Sequence, residues 1–125
     1  MPALPKISPE EMAVYRTTAW RRQQRKQQQL ARRQERAWDL ARQAAALLKG
    51  ENKVNRVMLY GSLARGDFHE HSDIDLMVWG LDEQKYYLAV SALLALDATL
   101  EVDLVMAEHA SPALLAAAEQ EGVPL

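Results

Sequence analysis

Tyr60-Gly61-Ser62-Leu63-Ala64-Arg65-Gly66-Asp67, followed after a short gap by Ser72-Asp73-Ile74-Asp75-Leu76, decides the fold of this chain. The run Arg56-Val57-Met58-Leu59-Tyr60 is short, apolar and rich in strand formers, so it reads as a buried strand. Gly61 ends it with a residue that tolerates unusual backbone angles, and a turn into a helix follows. A side chain at Gly61 would hold a phosphate chain away from the backbone. Ser62 offers both its N–H and its hydroxyl at a helix N-terminus, where the dipole favours anions, so the turn can hold phosphate oxygens.

Residues two apart on a strand share a face. Asp73 and Asp75 therefore point together to one side, and Ile74 and Leu76 to the other. Glu101-Val102-Asp103-Leu104-Val105 repeats the alternation with a third carboxylate, Asp103, opposite Val102 and Leu104. A sheet that pairs the two strands brings three carboxylates together. That set suits one or two Mg²⁺ ions, which take oxygen ligands at about 2.0 to 2.1 Å and are commonly shared with substrate phosphates.

On these motifs the chain resembles the minimal nucleotidyltransferases of the DNA polymerase beta superfamily. The resemblance covers residues 54 to 125 and implies an α/β fold, a small mixed sheet flanked by helices. It implies that Asp73 and Asp75 bind the metals with the nucleoside triphosphate. Asp103 then binds the metal nearer the acceptor hydroxyl and activates the nucleophile. Gly61 and Ser62 hold the outer phosphates, and Arg65 neutralises them or braces the loop. Ser72 reads as a turn or capping residue and Gly66 as the residue that lets the loop reverse. His69 and His71 flank Glu70 before the aspartates, but a His-x-His pair alone is a weak ligand signal, so both read as loop residues. His109 is given no role.

The 125 residues are 49% hydrophobic and 26% charged, ordinary values for one soluble domain. There is no cysteine, hence neither a disulfide framework nor a thiol nucleophile. No apolar run approaches the roughly 20 residues that cross a bilayer, and the N-terminus lacks the apolar segment of a secretory signal. The expected location is the cytoplasm, with no membrane partner.

The net charge of -2 hides a division: residues 1 to 50 carry 11 Lys and Arg against 4 Asp and Glu, and residues 51 to 125 carry 4 against 13. The chain is expected to comprise a basic helical extension, 1–50, and a nucleotidyltransferase domain, 51–125. Ser8-Pro9-Glu10-Glu11 combines an N-cap serine, a first-turn proline and a capping-box glutamate, and Gly50 is the expected stop. A continuous helix there is about 60 Å long. Met12, Tyr15, Ala19 and Trp20 form one apolar patch; Trp38, Ala41, Ala45 and Leu48 form a second, expected to pack on the catalytic sheet. The basic, glutamine-rich stretch 21–29 between them has no apolar face. The first patch is expected to dock on a partner or a second copy, a solvated helix face is the alternative, and nucleic acid is disfavoured because no aromatic residues interleave the basic ones. Further on, Asp82 to Leu96 reads as a helix with Tyr87, Val90 and Leu94 on one face. Ser111-Pro112 opens another to Glu121, closed by Gly122 before a short tail. The order is helix, strand, helix, strand, helix, strand, helix.

Larger members of the superfamily carry extra domains that hold the acceptor, whereas 75 residues follow Gly50 here. Minimal members resemble the antitoxin halves of HEPN/MNT toxin–antitoxin pairs. That resemblance implies transfer of AMP from ATP to a tyrosine of a HEPN ribonuclease toxin. Two alternatives stay open. One is a small-molecule nucleotidyltransferase of the aminoglycoside type working as a homodimer. The other is an antitoxin that acts by binding alone. A mass gain of AMP on a co-expressed partner discriminates among them.

Overall fold

The structure is a computed structural model that describes residues 6–125; the first five residues of the expected extension lie outside the described residues. A single helix, α1, runs Pro9–Gly50. Its start is the reciprocal cap the sequence calls for: the Glu11 N–H donates to Ser8 Oγ at 3.1 Å, and the Ser8 N–H donates to Glu11 Oε2 at 3.4 Å. No helix among the described residues is long and apolar enough to cross a membrane.

The chain divides into two compact units, Met1–Arg32 and Arg33–Leu125, so the division falls inside α1 rather than at Gly50. In the first unit the helix buries no residue, and Met12, Val14, Tyr15 and Trp20 stand exposed. Its middle stretch of arginine, lysine and glutamine offers nothing to pack.

In the second unit α1 buries Ala37, Leu40, Ala41, Ala44, Ala45 and Leu48, a stripe at three- and four-residue spacing. Trp38 sits at the edge of that stripe, half-buried, with the Arg42 guanidinium 5.5 Å from its ring centroid. The mixed sheet has the order Val102–Met106 (β3), Ile74–Trp79 (β2), Arg56–Tyr60 (β1), Val123–Pro124 (β4). Strands β1 (Arg56–Tyr60) and β2 (Ile74–Trp79) are antiparallel, β2 and β3 (Val102–Met106) parallel. A parallel pair needs a crossover, and helix α3 (Tyr86–Leu94) supplies it. Helix α2 is one turn, Ser62–Arg65, and α4 is Pro112–Glu121 with Ser111 as its cap.

Both faces of the sheet are covered. Val57, Leu59, Ile74, Leu76, Val78, Val102 and Leu104 pack under α1 and α3. Met58, Tyr60, Met77 and Val105 form the other face, against Ala118 and Leu114 of α4. Strand alternation puts Asp73, Asp75 and Asp103 on this second face. The acidic face thus also packs, farther along the strands, where Met77 is fully buried.

Two expectations need correction. The segment 82–96 is not one helix: Asp82 caps a 3₁₀ turn at Glu83–Lys85, and α3 follows. Its packed face is Tyr86, Ala89, Val90 and Leu93, so Val90 faces inward as expected while Tyr87 and Leu94 are 80% and 53% exposed. The Tyr86 hydroxyl, donating to the Leu104 carbonyl at 2.9 Å, fixes that rotation. The tail is also more than a tail: Val123–Pro124 forms β4, antiparallel to β1, and the Leu125 N–H donates to the Val57 carbonyl.

Candidate active site

Gly61 sits at φ 79° and ψ −157°, a conformation reserved for glycine. A Cβ there would stand 2.2 Å from Asp75 Oδ2. The glycine is thus required by the carboxylate behind the turn as well as by any phosphate in front of it. After it the backbone winds into α2, with the Arg65 N–H donating to the Gly61 carbonyl at 3.0 Å. The N–H groups of Gly66 and Asp67 both donate to the Ser62 carbonyl, and Gly66 adopts φ 88°, which reverses the chain.

The loop into β2 is equally constrained. Ser72 is buried; its hydroxyl accepts from the His69 N–H at 3.0 Å while its own N–H donates to the His69 carbonyl. Arg33 of α1 donates to the Ser72 carbonyl at 3.4 Å and the Thr99 carbonyl at 3.5 Å, with its guanidinium over the Phe68 ring. One basic side chain therefore spans the segments that lead into both acidic strands. Ahead of β3, Asp97 accepts from the Thr99 N–H and hydroxyl, both at 2.7 Å, from the Leu100 N–H, and from Arg36. Those hydrogen bonds, Thr99 first and Arg36 after, hold its carboxyl well below the usual carboxylate range.

Parallel pairing starts where the Ile74 N–H donates to the Glu101 carbonyl at 2.9 Å, and its register sets Asp75 opposite Asp103. Ligand oxygens of Asp73, Glu101 and Asp103 all lie within 4.8 Å of one another. Glu101 is an acid the motif reading left without a role. It enters because it precedes β3 by one residue, as Asp73 precedes β2. The signal was an acid two residues before Asp103, repeating the Asp73–Asp75 spacing. Burial, then the Asp103 and Asp73 charges, push the Asp75 carboxyl up to about 6, against an opposing pull from Arg65. Asp103 is raised too, by burial first and Asp73 second. Asp73, Glu101 and Asp103 form the close donor set that a divalent cation would suit; Asp75 is not one of that trio and stands beside it as the register partner of Asp103.

Tyr60, in register with Asp75, is a second residue left without a role. Burial, then Asp75 and Asp103, raise its phenol to about 12, so it stays neutral beside the acids. Arg65 pairs with Asp67 at 3.4 Å and Glu121 at 3.2 Å. The histidines stand apart from the carboxylates: His69 Nδ1 accepts from the His71 N–H, His71 lies 3.6 Å from Glu70, and His109 pairs with Glu83. Among the described residues the close cluster of metal-ligating types contains no histidine.

This arrangement coincides with one already known. The family described as "Polymerase beta, Nucleotidyltransferase" matches residues 42–125. A protein of Methanocaldococcus jannaschii, named provisionally as a protein adenylyltransferase, is 39% identical over 72 residues, covering 54% of this chain and 71% of that protein. Among solved structures, a toxin–antitoxin structure with AMP-PNP superposes with a TM-score of 0.56 at 28% identity, covering 66% of this chain and 69% of the other. A chain of the complex of a tri-AMPylated Shewanella oneidensis HEPN toxin with MNT antitoxin gives 0.53 at 25% identity, covering 70% of each.

Proposed function

The chain belongs to the polymerase beta nucleotidyltransferase family, and from that premise we propose that it transfers AMP from ATP to a tyrosine hydroxyl of a HEPN-type ribonuclease toxin, acting as its antitoxin. The observation that carries the chemistry is the register of β2 and β3. It sets Asp75 beside Asp103 at the strand ends where the Gly61 turn arrives. The acceptor is proposed from the relatives, one named for protein adenylylation and another solved with an AMPylated HEPN toxin.

The roles divide by position. Ser62 and the turn behind it hold the outer phosphates. Asp73, Asp75 and Asp103 would hold Mg²⁺, with Glu101 as a further carboxylate at the same place, and the ion would supply charge neutralisation and a polarised phosphoryl group. Asp103, exposed as Glu101 also is, faces the acceptor and takes up the phenolic proton. The phenolic oxygen attacks the α-phosphorus in line, the new O–P bond forms as the α–β bridging bond breaks, and pyrophosphate leaves with the electron pair. Covalent AMP on the ribonuclease adds a bulky anion that competes with RNA phosphate, so inhibition outlasts the encounter. The test is to incubate the partner with ATP, Mg²⁺ and this protein, separate the two, and weigh the partner. A gain in AMP units supports the proposal; unchanged mass with inhibition lost on separation would replace it with binding alone.

A further inference from the structure

The C-terminal helix reaches back to the phosphate turn through one carboxylate. Glu121, the last residue of α4, accepts the Gly61 N–H at 3.1 Å through Oε1, and the Arg65 guanidinium donates to its two oxygens at 3.2 and 3.3 Å. Gly61 and Arg65 are the first and last residues of the turn. The Glu121 carboxylate therefore clamps both ends of it from outside.

Glu121 is itself held by the chain that follows it. Immediately after it, Gly122 passes so close to β1 that a Cβ would meet Met58 Sδ at 2.4 Å and the Ala118 carbonyl oxygen at 2.2 Å. Val123–Pro124 then pairs with β1 as β4. Two residues before Glu121, Glu119 makes a separate two-pronged ion pair with Arg56 at 2.9 and 3.1 Å, and Arg56 lies 4.2 Å from the Trp79 ring centroid. Glu121 cannot drift without unpairing a strand.

We propose that Glu121 is a positioning residue for nucleotide binding. It holds the Gly61–Arg65 turn in the backbone shape that receives the triphosphate, while touching no reacting atom. The inference rests on the nucleotidyltransferase reading and adds a residue from outside its motifs. The physical case is that Gly61 occupies a sparsely populated backbone region, which persists only where the surroundings over-determine it. A charged acceptor on its N–H supplies one such constraint.

Affinity for AMP-PNP with Mg²⁺, measured by calorimetry on the full chain, and turnover at saturating ATP test this together. Glu121→Ala is expected to weaken AMP-PNP binding about tenfold, the loss of one hydrogen bond to a charged group, with turnover at saturation little changed. Glu121→Gln keeps an oxygen acceptor for the Gly61 N–H and should recover most of the affinity. Glu119→Ala, on the same helix and also breaking an ion pair, should bind as the wild type does. Equal losses in Glu119→Ala and Glu121→Ala would reduce Glu121 to general support of α4 and overturn the proposal. Tighter binding in Glu121→Ala would overturn it as well, since the carboxylate would then be a plug that phosphate displaces. If Glu121→Ala fails to fold, Glu121→Gln against Glu121→Lys decides, because only the first retains an acceptor. Wild-type protein that binds no nucleotide removes the proposed function and this inference with it. Wild-type binding matched by Glu121→Ala removes this inference alone.

Discussion

Asp75 of β2 and Asp103 of β3 are register partners in a parallel strand pair, so two carboxylates stand side by side on the face that α4 covers. Neighbouring strands run about 4.8 Å apart, a separation at which two unpaired carboxylates repel. The fold holds them there against that repulsion, a cost expected where charge is needed for chemistry rather than stability.

Removing one of the two charges therefore acts oppositely on stability and on activity. Asp75→Asn is expected to raise the melting temperature of chelator-treated protein by roughly 5 °C while abolishing most transfer. Melting curves with and without Mg²⁺ check this, and the added ion should stabilise the wild type more than the variant. A lower melting temperature in chelator, or full activity, would contradict the site.

Asp103→Asn separates the two halves of the site. If Asp103 serves the acceptor, the variant should keep substantial nucleotide affinity through Ser62, Asp73 and Asp75 and lose transfer by a factor of about 10² or more. Calorimetry with AMP-PNP and a transfer assay on the same preparation read both quantities. A parallel loss of affinity would move Asp103 to nucleotide binding.

Much of this was legible in the sequence because strand alternation and glycine geometry are local. Asp73 and Asp75 share a face by counting alone, Asp103 opposes its own apolar neighbours by the same count, and Gly61 marks its own turn. The helix at residues 82–96 misled because an acid-rich first turn and apolar spacing fit more than one rotation. The Tyr86 contact to the Leu104 carbonyl, made across the fold, chooses between them. Strand β4 has two residues and no pattern, and it exists only because β1 offers it an edge. Arg33 and Glu121 act on the site from distant positions in sequence. In a chain with 15 basic and 17 acidic residues, nothing local singles them out.

The loop before β3 gives a pH prediction. Asp97 is only 5% exposed in its side chain, and Thr99 and Arg36 depress its carboxyl in the folded state. The unfolded chain, with a carboxyl near about 3.9, then binds the proton first on acidification. The stability Asp97 confers is present in full above that value and is lost as pH falls through the lower, folded one. Asp97→Asn should cost about 2 kcal/mol between pH 5 and 7, and the gap to wild type should narrow below about pH 4. Denaturant titrations across that range check it, and a gap that widens in acid would contradict the assignment.

Every fully or nearly buried residue of the described chain lies at Ala37 or beyond. Deleting residues 1–29 should therefore leave the unit from Arg33 onward folded and able to bind AMP-PNP, with melting behaviour close to that of the full chain. The exposed Met12, Tyr15 and Trp20 go with the deleted segment, so association with a partner or a second copy should weaken. Light scattering and a pull-down with the partner check the second part; loss of folding would make the segment an internal brace.

The central claim, that this site moves AMP onto a protein, is tested most directly by the intact mass of a co-expressed HEPN-type partner, purified away after incubation with ATP and Mg²⁺. The account predicts a mass increased by whole AMP units, located to tyrosine by fragmentation, absent with Asp73→Asn or Asp103→Asn, and accompanied by lasting loss of RNA cleavage. A partner of unchanged mass that regains full ribonuclease activity once separated would contradict it.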